Sequence, residues 1–318
     1  MAVIENPKIT VVGAGAVGAA TAYASLIRGA ARHVALYDIN AAKVEAETLD
    51  LAHGSLFTGS SDIAGSADIG VTEGSHVVIV TAGAAQQPGQ TRLELVGTNA
   101  RIFATMIPQL VEASPKAVFV IVSNPCDVLT MLAQEQTGLP PERIFASGTV
   151  LDTSRLRWRL AERAGVSASS VHAHIVGEHG DSQFPLWSSA TVGPVPLLDW
   201  HPDAGEPFTR EELDRLAHDV AHAAYKVIEG KGATNYAIGL SATRIAEAVL
   251  RDEHAVLPVS TVLTDYHGLS GVALSVPSVV GAMGAFPIHE TRFSESELGL
   301  LHASAETIKA TTDLVREG

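Results

Sequence analysis

A histidine set between small and acidic residues, in Val176-Gly177-Glu178-His179-Gly180-Asp181, is the stretch of this chain best suited to chemistry. An imidazole titrates near pH ~6.5, so His179 can both give and take a proton in neutral solution, and the flanking glycines let backbone approach a ligand closely. Upstream, Asp152 and Arg155 stand three apart in a helical-looking run and share one face of it. On that segment alone they read as a solvated ion pair. Arg157 falls roughly 200° around the same helix from Arg155, so the two arginines cannot serve one site.

A second chemical feature lies near the amino terminus. The β-branched run Lys8-Ile9-Thr10-Val11-Val12 ends at Gly13-Ala14-Gly15-Ala16-Val17-Gly18, a G-x-G-x-x-G turn, and an alanine-rich helix from Ala19 to Arg28 follows. The next strand, His33 to Tyr37, ends at Asp38, twenty residues beyond Gly18. In such a βαβ unit Gly13 permits the tight turn, Gly15 lets backbone approach a pyrophosphate, and Gly18 allows the helix to pack closely on the strand. The helix N-terminus supplies the anion site. A carboxylate at Asp38 accepts hydrogen bonds from ribose hydroxyls and repels a 2′-phosphate, which selects NAD over NADP.

The elements that must position these groups alternate. A helix is expected from Ala41 to Ala52, a buried strand from Ser75 to Val80 ending at Thr81-Ala82-Gly83, and a polar Gly/Pro loop from Gln86 to Arg92 that reads as a candidate lid. A long helix to Glu112 and a strand Val118 to Val122, ending at Ser123-Asn124-Pro125, come next, then a short strand Arg143 to Ser147. This rhythm predicts an α/β fold, a Rossmann-type doubly wound parallel sheet over residues 1–148, followed by a mixed α+β substrate domain over 149–318. In the later half, Val171 to Val176 and Trp187 to Val192 read as strands around the histidine loop and Val256 to Val280 as antiparallel strands. Capping boxes at Thr209 and Ser294 open helices.

Composition removes several functions. Acidic residues outnumber basic ones, 35 to 21, for a net charge of -14 with no basic cluster, so nucleic acid is not an expected partner. No run approaches the roughly 20 apolar residues that a membrane span needs, and the first residues lack a basic, apolar leader. The lone Cys126 lies in an apolar run, reads as a buried structural thiol, and with the preceding points predicts a cytoplasmic protein. His218 and His222, four apart, have no Glu between them, and no metal site is expected.

From Val11 to about Gly284 the chain closely resembles the lactate/malate dehydrogenase family, in its bacterial L-lactate branch. The resemblance rests on Gly13 to Gly18, Thr81-Ala82-Gly83, Gln86 to Arg92, Ser123-Asn124-Pro125, Leu151 to Arg155, Gly177 to Asp181 and Lys231-Gly232-Ala233-Thr234. It implies that His179 exchanges a proton with substrate, Asp152 holds its imidazole, Arg155 grips a carboxylate, Arg92 polarises the carbonyl, Asn124 positions the reacting groups and Thr234 lines the pocket. It implies NAD as cofactor, held by Gly13, Gly15, Val17, Gly18, Asp38, Thr81, Ala82, Gly83, Val122, Asn124 and Ile238. The neutral Gln86, at a position that resembles an arginine in the malate branch, favours pyruvate and L-lactate over oxaloacetate; malate or another 2-hydroxy acid is the alternative substrate. Arg157 and His172 resemble a site for the activator fructose 1,6-bisphosphate, and a homotetramer is expected from the family. An NAD-dependent glycosidase and an inactive binding protein remain as further alternatives; the first would need a metal site, the second no catalytic set.

Overall fold

The computed structural model describes residues 4–84, 92–201 and 206–317, with nothing said of the side chains of Arg92, Leu93 and Glu317. The first half runs β1 (Lys8–Val12), α1 (Ala16–Arg28), β2 (His33–Tyr37), α2 (Ala41–His53), β3 (Asp62–Ser66), β4 (Val77–Val80), α3 (Arg92–Ala113), β5 (Val118–Ile121), α4 (Cys126–Thr137) and β6 (Ile144–Ala146). Its strands pair in parallel in the order β3-β2-β1-β4-β5-β6. Each central strand is buried on both faces. In β4, Val77 and Ile79 pack with Ala22 and Leu26 of α1, whereas Val78 and Val80 face Phe103 and Ile107 of α3. Continuous Val/Ile runs are what a sheet covered on both sides requires.

The second half runs α5 (Val150–Ala164), then five short strands and three helices before two long strands. These are β7 (Val171–His172), β8 (Ile175–Val176), β9 (Phe184–Pro185), β10 (Thr191–Val192), β11 (Val195–Pro196), α6 (Arg210–Ala221), α7 (Ala223–Lys231), α8 (Tyr236–Leu250), β12 (Ala255–Val262), β13 (Ala273–Gly281), β14 (Gly284–Pro287) and α9 (Glu295–Glu317). β12 to β14 are antiparallel and extend the parallel sheet, Ser260 of β12 lying opposite Ala146 of β6. One nine-stranded sheet therefore crosses from one half of the chain into the other.

Two local expectations change, and one strand forms where none was expected. The strand expected over Val171 to Val176 breaks at Ala173-His174 into β7, paired with β10, and β8, paired with β9. The run from Trp187 begins as a 3-10 turn and becomes extended only at Thr191. β3 carries too few apolar residues to be read as a strand; it forms because β2 offers it an open edge. At Ser294 the capping box forms, Ser294 and Glu297 exchanging hydrogen bonds between side chain and backbone; at Thr209 only its first half forms, the hydroxyl accepting the N–H of Glu212, whose carboxylate accepts Arg163 at 2.7 Å instead.

α8 returns to the first half and braces α1. A Cβ on Gly239 would lie 2.8 Å from the Ala20 carbonyl group, so only glycine allows this approach. The Arg28 guanidinium grips the buried Glu247 carboxylate at 2.6 Å farther along the same contact. Gly239→Ala is expected to destabilise the fold by about 1–3 kcal/mol, as overpacking does, read as a lower midpoint in urea; an unchanged midpoint would show that the helices part freely.

Candidate active site

At the carboxyl ends of β1 and β4 the glycine turn is built as its spacing demands. Gly13 sits at φ +101, its N–H donates to the Tyr37 carbonyl at 2.7 Å, and a Cβ there would meet the Ala82 backbone at 2.8 Å. A Cβ on Gly18 would lie 1.7 Å from the Gly13 carbonyl oxygen, whereas one on Gly15 would meet nothing, so Gly15 faces open space at the start of α1. No side chain caps α1, which leaves its first N–H groups for an anion. Asp38 accepts the Ala14 N–H at 2.7 Å through one oxygen and the Asn40 N–H at 2.9 Å through the other. Its remaining lone pairs suit ribose hydroxyls. The backbone cradle and the acid thus fit a dinucleotide.

Around it, the Thr81 hydroxyl donates to the Val12 carbonyl at 2.9 Å, and Ser123 donates to the Ala82 carbonyl at 2.5 Å. Asn99 of α3 accepts the Ala84 N–H and donates to the Asn124 carbonyl, tying the ends of β4 and β5 together. Val122 is buried, and Ile238 packs partly buried against the core beside Val17.

The second cluster lies beside this edge. α5 carries Asp152 in its first turn, buried at 2% exposure, and one oxygen accepts the Arg155 guanidinium at 2.8 Å while the other meets His179 Nδ1 at 2.9 Å. The expectation of a solvated Asp152–Arg155 pair is therefore corrected: the carboxylate is enclosed, and its partners are a cation and an imidazole. Burial works against the Asp152 anion, yet His179 and Arg155 hold its carboxyl below the usual range. Burial would likewise depress His179, but Asp152, aided by Asp127, raises it above an ordinary histidine against the opposing charge of Arg155. With Nδ1 on Asp152, Nε2 is left for the cavity that His179 lines.

The loop that presents His179 is stapled on three sides. Gly177, at φ +93, exchanges two backbone hydrogen bonds of 2.9 Å with Ser275 of β13, which no residue with a Cβ would do without strain. Ser304 of α9 accepts the Glu178 N–H at 2.7 Å, and Asp127 of α4 accepts the His179 N–H at 2.8 Å. A Cβ on Gly180 would collide with the Glu178 carboxylate at 2.6 Å. The two glycines thus serve loop geometry as much as ligand approach.

Asn124, Asp152, Arg155 and His179 share a cavity of about 390 Å³, with Val96 and Tyr225 on its apolar walls. A larger cavity of about 580 Å³ lies at the opposite edge of the sheet, against Pro7, Gly29 and Arg251. There α1 and α8 end, and their carbonyl ends disfavour phosphate. Thr234, between α7 and α8, is partly buried and is not among the residues lining the first cavity. Gln86 lies outside the described residues, as does the side chain of Arg92 at the start of α3.

Arg157 and His172 stand apart from this cavity, Arg157 donating to the Ala168 carbonyl at 3.1 Å. Between them His174 is pushed down to about 4 by burial and by the charges of Arg157 and His172. The sequence offered no signal for Asn99 or Asp127, whose contacts with Ala84 and Asn124 and with His179 are made only by the fold. His218 and His222 stack with ring centroids 4.1 Å apart, and among the described residues no group of three or more metal-ligating side chains assembles. Among the same residues no helix is long and apolar enough to cross a membrane.

The geometry agrees with comparison to known proteins. The lactate/malate dehydrogenase NAD binding domain matches residues 7–146, and the α/β C-terminal domain of the same family matches 149–317. An L-lactate dehydrogenase of Bifidobacterium animalis is 47% identical over 309 residues, 97% of each chain, and one of Kosmotoga olearia 43% identical over 312 residues, 98% of this chain and 97% of that one. A lactate dehydrogenase from a Medee basin deep-sea metagenome library superposes with a TM-score of 0.94 at 34% identity, covering 98% of this chain and 100% of that one. The minor L-lactate dehydrogenase of Enterococcus mundtii gives 0.91 at 38% identity, covering 97% and 98%. With two family domains matched end to end and a sheet edge built for the dinucleotide, the chain is an NAD-dependent oxidoreductase that belongs to the lactate/malate dehydrogenase family.

Proposed function

We propose that the protein interconverts pyruvate and L-lactate. The observation that carries this reading is the single buried carboxylate, Asp152, that engages both Arg155 and His179 on the wall of one cavity. NADH, when bound along Gly13 to Gly18 and Asp38, supplies the hydride that reaches the substrate carbonyl carbon. Arg155 binds the substrate carboxylate through two parallel N–H groups, which fixes orientation as well as charge. His179, as imidazolium, gives its Nε2 proton to the carbonyl oxygen as that oxygen becomes a hydroxyl, and takes it back in the reverse direction. Asp152 fixes the tautomer and offsets the ring's charge. Arg92 polarises the carbonyl and Asn124 positions it. Residues 1–148 hold the cofactor and 149–318 the substrate in this reading.

Gln86 excludes the second carboxylate of oxaloacetate, since an unpaired anion in a closed pocket is costly. Gln86→Arg is expected to move the ratio of kcat/KM toward oxaloacetate by on the order of 10²-fold, the worth of a desolvated charge pair; an unmoved ratio removes Gln86 as selector. We further propose that Arg157 and His172 bind fructose 1,6-bisphosphate in a homotetramer, a reading supported by their place away from the catalytic cavity, with His172 exposed. The cytoplasm is the compartment that this chemistry implies. NADH oxidation with pyruvate and with oxaloacetate, each with and without the bisphosphate, tests all of these points: pyruvate is the better substrate and the bisphosphate raises activity at low pyruvate. Preference for oxaloacetate overturns the substrate, and indifference to the bisphosphate overturns the activator.

A further inference from the structure

One buried charge at this site has no part in the steps above. Asp127 stands in the first turn of α4, just past Asn124-Pro125, and is 1% exposed. Its Oδ2 accepts the His179 backbone N–H at 2.8 Å, and its Oδ1 makes no hydrogen bond among the described residues. Accepting one N–H needs only an amide oxygen. A full carboxylate in this place is unfavourable unless a cation offsets it, and the cation at hand is the His179 imidazolium.

The surroundings bear this out from each packed element. α5 brings Asp152 and Arg155 to the ring, and the histidine loop brings Glu178. β12 brings the Ser260 hydroxyl, which approaches Asp127 without completing a hydrogen bond, and β13 brings Ser275. α3 contributes the neutral Asn99, and α9 contributes Ser304 beside the loop and Arg316 paired with Glu135 at the far end of α4. Burial pushes the Asp127 carboxyl up to about 6, with Ser260 and His179 opposing that rise and Glu178 adding to it. Asp127 is therefore ionised in neutral solution and becomes neutral in mild acid. In return it adds to the pull of Asp152 that holds the proton on His179.

We propose that Asp127 is a second positioning carboxylate for His179, anchoring the histidine's main chain and supplying a negative charge that favours the imidazolium. The inference rests on His179 as the proton donor, and it adds a group on α4 that reaches the reaction only through that residue. Two carboxylates then divide the work. Asp152 orients the ring through Nδ1, and Asp127 fixes the backbone from which the ring projects.

Asp127→Asn in the full-length protein separates the two contributions, because the amide oxygen can still accept the N–H while the charge is gone. The carbon-bound imidazole protons of His179, followed by NMR, are expected to titrate about one pH unit lower than in the unmodified protein. The alkaline limb of pyruvate reduction should move down with them, and the two proteins should converge below pH about 6, where Asp127 is itself protonated. Asp127→Ala, which removes the anchor as well, should lower kcat across the whole pH range. If the Asn variant titrates like the unmodified protein, Asp127 is structural only and the proposal fails. Should that variant not fold, the unmodified protein still decides: the His179 resonance must show a second inflection near pH 6, and a single inflection overturns the claim. Because the ring itself is read, a protein that ignores pyruvate would refute the proposed substrate and leave this test standing.

Discussion

Asp152→Asn is expected to lower kcat for pyruvate reduction by roughly 10²–10⁴-fold, the span that a positioned general acid contributes. The shape is nearly unchanged and the amide oxygen can still meet Nδ1, so the loss is one of charge. His179 is raised because Asp152, with Asp127, outweighs burial and the charge of Arg155. Without the Asp152 anion, burial and Arg155 are opposed by the charge of Asp127 alone and the imidazolium becomes unfavourable. The sign follows: reduction needs the protonated ring, so activity disappears as pH rises through the lowered value and partly returns in acid. Oxidation of the alcohol, which needs the neutral ring, suffers less. Initial rates in both directions from acid to alkaline pH check this; a loss equal in both directions and at every pH would mean that Asp152 only maintains the fold.

Arg155→Lys is expected to reduce kcat/KM for pyruvate by about 30–150-fold, the worth of one hydrogen bond to a charged group at about 2–3 kcal/mol. An ammonium keeps the charge and loses the fork that two parallel bonds require. It also loses the fixed reach to Asp152, which Arg155 now contacts at 2.8 Å. Most of the change should appear in KM, with a smaller fall in kcat from the disturbed Asp152–His179 pair. Steady-state kinetics of the variant against pyruvate give the split, and a KM unchanged from that of the unmodified protein would show that the carboxylate is held elsewhere.

The dinucleotide half was legible in the sequence because its chemistry is local. Strand, glycine turn, helix, strand and acid lie within 31 consecutive positions, Lys8 to Asp38, and steric limits at Gly13 and Gly18 leave few other ways to fold them. His179 was legible as a titratable group in a glycine-flanked loop, and Asp152 and Arg155 as neighbours on one helix face. That the Asp152 carboxylate is enclosed rather than solvated was not, since a face of a helix acquires its environment only when the histidine loop and the elements packed on α5, among them β8, β12 and α8, close over it. The broken strand at Ala173-His174 and the edge strand β3 escaped for the same reason: a partner strand elsewhere in the chain decides them.

What the sequence determined by itself is therefore the inventory: a nucleotide turn, an acid that prefers NAD, an imidazole, a carboxylate and arginines at helical spacing. What only the tertiary structure decided is which of them share an environment. Asp127 lies 52 residues from His179, and Ser304 lies 126 from Glu178. No pattern of spacing foretells such contacts, because chain closure over that distance is set by the packing of whole elements. Packing sets Asp152 and Asp127 against His179, and their charge, working against the burial that the same packing imposes, raises the ring's affinity for its proton.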